Sequence, residues 1–281
     1  MSGAVAALLP DGRLHLQHGP IDIVAQGFGP DDALRAAHAR AAARFATVLD
    51  ELVAELPMLR SEMGLVSGKI ARRMVLAVLP YRPAFLTPMA AVAGAVAEEV
   101  LKTLAGPGIT RAYVNNGGDI ALHLGPDESL TCALAVTGGL ERVTVAASDP
   151  VRGIATSGWR GRSFSLGIAD AVTVLARSAA MADAAATMIA NAVDLPDHRG
   201  IRRRPAQEMQ ADSDLGARAV TVDVPALSPA DRAAALRAGL AAAEGFRARG
   251  LIEAAALFLQ GESVATGGGL LAARSEAREH V

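Results

Sequence analysis

A strand that breaks into a paired-glycine turn and then resumes constrains the fold of this chain more than any other feature. Tyr113-Val114-Asn115-Asn116 leads into Gly117-Gly118-Asp119, and Ile120-Ala121-Leu122-His123-Leu124 takes up the apolar pattern again. Tyr, Val, Ile and Leu in short runs favour strands, and glycine supplies backbone at φ > 0 without steric cost. The stretch admits two readings. It is an Asn-Gly hairpin turn, or a break at which two side-chain amides, bare backbone and the Asp119 carboxylate approach a ligand.

Around it, strands come in pairs and helices in long separate blocks. Leu14 to Gln17 and Ile21 to Ala25 read as two strands about His18-Gly19-Pro20. Leu34, Ala37, Ala41, Phe45, Val48 and Leu52 recur at spacings of three and four, one apolar stripe of a helix that begins after Gly29-Pro30-Asp31-Asp32 and stops at Pro57. The run Met74 to Leu79 is too short to classify by period. Thr87 and Pro88 suit the cap and first residue of a helix over Ala90 to Leu104. Strands are expected at Leu130–Val136, Val143–Ala147, Val172–Leu175, Ala219–Val224 and Ile252–Gln260. Ser178–Val193 reads as a small-residue helix, and Ser228-Pro229-Ala230-Asp231 opens another. This alternation predicts an α+β fold with a largely antiparallel sheet packed with long helices.

The predicted organisation is a single domain over residues 1–265, a polar loop or insertion near 197–217, and a flexible tail over 266–281. The insertion carries Arg199, Arg202, Arg203 and Arg204; solvation is favoured over a polyanion site.

Composition removes several classes of function. Aromatic residues make up 3% of the chain and the net charge is −2. That argues against a base-stacking surface and against a global field for nucleic acid or anionic membrane. No apolar run approaches the ~18 residues of a membrane span, and residues 1–9 lack the positive start of a signal peptide. A cytoplasmic location is therefore expected, with neither nucleic acid nor membrane as partner. The single cysteine, Cys132, lies in the run Leu130-Thr131-Cys132-Ala133-Leu134 and is expected in a core strand. The six histidines form no metal or triad pattern; His15 and His18, three apart in a strand, point to opposite faces.

Two further segments carry chemistry. In Met181-Ala182-Asp183-Ala184-Ala185-Ala186-Thr187, Asp183 and Thr187 stand four apart on one helical face, and Asn191 continues it. A carboxylate and a hydroxyl one turn apart are hard oxygen ligands of the kind Mg²⁺ takes alongside water and phosphate. The competing reading is a dipole-favoured Asp and a Thr bonded back to its own helix. Gly153-Ile154-Ala155-Thr156-Ser157-Gly158 reads as a small-residue turn able to present hydroxyls and backbone N–H groups to a phosphate or carbonyl.

In this order the segments resemble the ApbE-like superfamily, which includes the FAD:protein FMN transferases and is T-fold-related. The motifs are Ala90-Ala91-Val92-Ala93-Gly94, Asn115 to Asp119, Thr156-Ser157-Gly158, and Ala182-Asp183 with Thr187. The chain looks closest to a prokaryotic branch of that superfamily, uncharacterised protein family 0280, rather than to its enzymes. The resemblance implies a pocket for FAD, FMN or a related dinucleotide. Gly94, Asn115, Asn116, Gly117, Gly118, Asp119, Thr156, Ser157 and Gly158 would contact the cofactor, and Asp183 and Thr187 would hold Mg²⁺. It implies no catalytic residue. The transferases carry Lys where this chain has Ala93, and His in the segment that here reads Ser165-Leu166-Gly167-Ile168-Ala169-Asp170. Three activities remain open: a Mg²⁺-assisted enzyme acting on FAD, such as a transferase or a pyrophosphate-cleaving activity; a non-catalytic flavin carrier; and an accessory protein of a redox pathway, self-associating or bound to a redox protein.

Overall fold

A computed structural model describes residues 3–136 and 139–268. In chain order the elements are strands β1 (Val5–Leu8), β2 (Leu14–His18) and β3 (Ile21–Phe28), helices α1 (Asp31–Ala54), α2 (Leu56–Leu59), α3 (Lys69–Val78) and α4 (Val92–Leu104), then strands β4 (Arg111–Asn116), β5 (Asp119–Leu124), β6 (Ser129–Val136), β7 (Gly139–Ala146), β8 (Gly153–Ser157) and β9 (Ala171–Ala176). They continue with helix α5 (Ala179–Ala192), strand β10 (Arg202–Pro205), helix α6 (Ala206–Met209), strand β11 (Ala219–Asp223), helix α7 (Pro229–Ala248) and strands β12 (Ala254–Leu259) and β13 (Glu262–Thr266). Among the described residues the strand pairings with a resolved register are all antiparallel. This is the α+β class expected.

The chain divides into two compact units. The first comprises the chain up to Leu130 with Ala146–Ala155 and Ala176–Ala184; the second comprises Thr131–Val145, Thr156–Leu175 and the chain from Ala185 onward. In the first, the strand order is β1-β2-β3-β4-β5-β8. Alternate residues Leu14, Leu16, Ile23, Ala25, Ala112 and Val114 are buried, as the two-residue period of a half-covered sheet requires. Helix α1 packs on α4, and α4 packs on β4 and β5. The predicted stripe of α1 is the buried one, from Ala37 to Leu52. His18 is buried beside Phe45 of α1 with the rings 6.4 Å apart, while His15, on the other face of β2, reaches Asp22 at 3.0 Å. In the second unit β9, β12 and β13 are neighbours, with α7 against β12 and β13. Ser228 caps α7 by accepting the Asp231 N–H at 3.1 Å, as its sequence predicts.

Several local readings are corrected. The Met74 run is helical: Ile70, Ala71, Met74, Ala77 and Val78 of α3 turn inward. Helix α1 ends at Ala54, and Pro57 stands in the first turn of α2 instead of terminating α1. Thr87 does not cap with its side chain, because a 3₁₀ turn over Pro88–Ala91 precedes α4. Gly153–Ser157 is strand β8, not a turn; β-branched Ile154 and Thr156 suit the ladder, and Gly153 is needed where the chain passes Ser178 and Ala179.

The polar segment 197–217 contains β10 and α6, and β10 pairs with β11. Three of its arginines are engaged close by: Arg202 with Asp223, Arg203 with Asp194 and Arg204 with Glu208. Residues 269–281 of the predicted tail lie outside the described residues.

Cys132 does lie in a strand, β6, but is half-buried and not a core residue. Loss of hydration pushes its thiol up to about 11. Alkylation by iodoacetamide should therefore be slow at neutral pH and rise about tenfold per pH unit toward that value, because the thiolate is the nucleophile. Mass spectrometry of timed alkylations checks this; a rate that levels off below pH 9 would contradict it.

Candidate functional site

The turn between β4 and β5 is a two-residue hairpin. Asn116 and Asp119 face each other across the ladder, leaving Gly117 and Gly118 as the loop. Their φ values are +66° and +114°. Both glycines are thus demanded by backbone conformation, as in hairpin turns that match the twist of their strands. Of the two readings of the stretch, the hairpin accounts for both glycines without a ligand. A Cβ on Gly118 would meet open space, so Gly118→Ala would strain the turn without probing any ligand. Asn115 secures the turn by accepting the Gly118 N–H at 2.8 Å.

Asn116 and Asp119 are both buried. Asn116 donates its amide N–H to the Ala93 carbonyl at 3.1 Å, tying the hairpin to the first turn of α4. The neighbouring Gly94 N–H donates to Asp183 Oδ2 at 3.0 Å. That N–H is one of the four at a helix start with no partner inside the helix, and it lies at the positive end of the helix dipole. Helix α4 returns the contact: Glu98 accepts the Ala180 N–H, at the start of α5, at 2.8 Å. Each helix thereby supplies a carboxylate to the N-terminus of the other. Such reciprocal capping requires close backbones, and Gly94 permits it. A Cβ there would fall 2.3 Å from the Ala179 carbonyl oxygen.

Asp183 is half-buried. Desolvation foremost, and then the negative charge of Asp119, push its carboxyl well above the ordinary range; hydrogen bonds from the Gly94 and Ala93 backbone pull the other way and lose. The first unit thus brings together Gly94, Asn116, Asp119 and Asp183, with Asn115, Gly117 and Gly118 in the same hairpin. Beside the helix start, burial and the Asp119 charge both disfavour ionisation of Asp183. Among the described residues no cluster of three or more His, Cys, Asp or Glu side chains suits a metal. A cation here would therefore draw on one or two carboxylates and complete its shell elsewhere, which is how Mg²⁺ binds with water and phosphate.

The second unit holds the remaining predicted residues. Thr187 stands one turn beyond Asp183 on α5, half-exposed. The third member of the expected polar face, Asn191, is spent on structure: its Oδ1 accepts the Leu166 N–H at 2.9 Å and the Ser165 hydroxyl at 3.3 Å. Thr156 is exposed, with its hydroxyl 2.9 Å from that of buried Thr173; Ser157 is half-exposed. Gly158 has a packing role, since a Cβ there would lie 2.4 Å from the Asp170 carbonyl oxygen. Asp170, at the end of the segment that lacks histidine, is held by Arg160 at 2.9 Å and by the Gln260 N–H at 2.6 Å.

Sequence reasoning missed Glu98 and Glu99. Two adjacent carboxylates amid the apolar run Val92–Leu101 of α4 were the available signal. Arg73 bridges both at 3.0 Å, and Arg44 joins Glu99 at 2.9 Å. Burial alone would raise the Glu99 carboxyl, but the two guanidinium groups overcome it and hold the carboxyl below its ordinary value.

A family model described as AbpE bacteria matches residues 6–265. A UPF0280 protein of Methanothrix thermoacetophila is 40% identical over 110 residues, 38% of this chain and 46% of the relative. Another, from Methanothermobacter thermautotrophicus, is 40% identical over 121 residues, 41% of this chain and 46% of the relative. The chain spans about half the length of the curated relatives it matches. A solved apo structure of flavinyl transferase ApbE from Pseudomonas stutzeri aligns with a TM-score of 0.42 at 14% identity, covering 95% of this chain and 96% of that one.

Proposed function

This chain belongs to the family described as AbpE bacteria, and from that premise we propose that it binds FAD, FMN or a related dinucleotide together with a divalent cation. The observation that carries the reading is the Asp183 carboxylate held by the Gly94 N–H at the start of α4, desolvated there and with the negative charge of Asp119 bearing on it. A Mg²⁺ ion fits that donor chemistry. Asp183 would hold it, with Thr187 as the neutral oxygen one turn on, and Asp119 would add negative charge. When bound, the ion would neutralise charge on a pyrophosphate. The chain's own part is to orient: Asn116 and the Gly94 N–H fix the hairpin and the helix start, and Asn115, Gly117 and Gly118 offer amide and backbone contacts; in the second unit, Thr156 and Ser157 offer hydroxyls.

The catalytic form of this reading is cleavage of the FAD pyrophosphate by water to give FMN and AMP. Ala93 and Leu166, in place of the Lys and His of the transferases, favour the non-catalytic alternative, a flavin carrier or an accessory protein of a redox pathway. Neither alanine nor leucine moves a proton. FMN should therefore not be transferred to a threonine-containing acceptor peptide. Mass spectrometry of the peptide after incubation with the protein, FAD and Mg²⁺ checks this, and a gain of one FMN would restore the transferase assignment. AMP release in the same mixture separates enzyme from carrier.

A further inference from the structure

Among the described residues the most exposed large apolar side chains, Leu65 and Met63, lie in one stretch of the first unit with Leu76 and Leu79; Val5, Leu8, Val53, Met58 and Met209 are exposed elsewhere. Leu65 is 90% exposed, Met63 74%, Leu76 66% and Leu79 46%. The loop bearing Met63 and Leu65 is fastened at both ends beside α3. Glu55 accepts the Ser67 and Gly68 N–H groups at 2.7 Å, just before α3 begins, and Arg82, just after it, donates to the Glu62 carbonyl. Loop and helix therefore form one surface. On α3, Lys69, Arg72 and Leu76 are exposed and fall at spacings of three and four, so they share the solvent face opposite Ile70, Met74 and Ala77.

The same surface is cationic. Lys69, Arg72 and Arg82 are exposed, and Glu62 is the exposed acid among residues 60–82. Arg82 spends a hydrogen bond on a neutral carbonyl and keeps its charge. The expectation of no membrane partner rested on the net charge of −2 over the whole chain; this patch is a local exception to it.

We propose that this face of α3 and its loop docks peripherally on an anionic lipid surface. Aliphatic side chains that project singly into solvent suit a fluid surface, which needs no complementary shape. A protein interface would centre on anchors seated in pockets. Cations beside the apolar tips suit lipid phosphates at the depth where those tips enter. No helix among the described residues is long and apolar enough to cross a membrane, so attachment of this kind would be reversible and weakened by salt.

The test is co-sedimentation of the full chain with vesicles of phosphatidylcholine alone or mixed with phosphatidylglycerol. Binding should appear with the mixed vesicles and fall as salt rises. Arg72→Glu, which reverses one charge at the surface, should weaken it about thirtyfold. Leu65→Ser should weaken it on the order of tenfold. Both residues are exposed, and unchanged melting temperatures would confirm intact folds. No binding to the mixed vesicles, equal binding to neutral ones, or binding that ignores both substitutions would overturn the proposal. The first of these results would turn the surface over to an acidic protein partner.

Discussion

Asp183→Ala should abolish cation-dependent flavin binding while leaving the melting temperature within a few degrees of the parent. The two halves of this expectation have different causes. Losing the carboxylate leaves the Gly94 N–H without its acceptor, which costs about 1 kcal/mol. The same change removes a desolvated charge that repels Asp119, which returns a comparable amount. The effects on stability oppose each other, whereas the effect on a cation is one-sided. Asp183→Asn sharpens the comparison, because the amide oxygen can still accept from Gly94. It should melt above the parent in the absence of cation. Since the Asp183 carboxyl is raised in the fold, the parent's deficit develops as pH rises through and above the ordinary carboxylate range. The stability gain of Asp183→Asn should therefore be larger at pH 7 than at pH 4. A gain that shrinks with rising pH, or a variant that binds cation and flavin like the parent, would place Asp183 in a purely structural role.

Gly94→Ala should be strongly destabilising. Alanine is the better helix former by about 1 kcal/mol, but its Cβ would lie 2.3 Å from the Ala179 oxygen and 2.5 Å from the Ala179 carbonyl carbon. Both are backbone atoms at the start of α5 and yield only if the helices separate. That separation would also stretch the Asp183–Gly94 and Glu98–Ala180 hydrogen bonds. A net loss of about 3 kcal/mol follows, on the order of 10 °C in melting temperature. Gly245 is the control. It lies in α7, exposed, with nothing near the position of a Cβ, so Gly245→Ala should stabilise by about 0.5 to 1 kcal/mol. If thermal melts rank the two variants in the other order, the account of Gly94 as the contact point of two helices fails.

What the sequence disclosed followed the range of the interaction. Features written within a turn or two were legible. The stripe from Ala37 to Leu52, the Ser228 cap and the strand–turn–strand from Tyr113 all stand where their spacing puts them. Helix α3 was hidden because the run Met74–Leu79 is apolar throughout; its two faces separate only when Lys69, Arg72 and Arg73 are read together with Ile70 and Met74. Contacts between distant segments were not legible at all. Asp183 lies 89 residues from Gly94, and Glu98 lies 82 from Ala180. Nothing local marks either carboxylate as the cap of another helix. Gly94 and Gly158, which the family motifs suggest as ligand contacts, have packing reasons of their own. Asp119 and Asp183 were each visible as candidates, for cofactor and for metal. That one bears electrostatically on the other needs the fold. Gly117 and Gly118 show the converse: the stretch read equally as hairpin or ligand-facing break, and their φ values explain both glycines by the turn.

The central claim, a flavin or dinucleotide site that works with a cation at Asp183, is tested most directly by calorimetric titration of FAD into the full chain with and without Mg²⁺. The account predicts binding at micromolar to sub-millimolar concentration that tightens when Mg²⁺ is present, because the ion joins the carboxylates to the pyrophosphate. A folded chain that gives no binding with FAD, and none with FMN, ADP or NAD at millimolar concentration, with or without Mg²⁺, would contradict it.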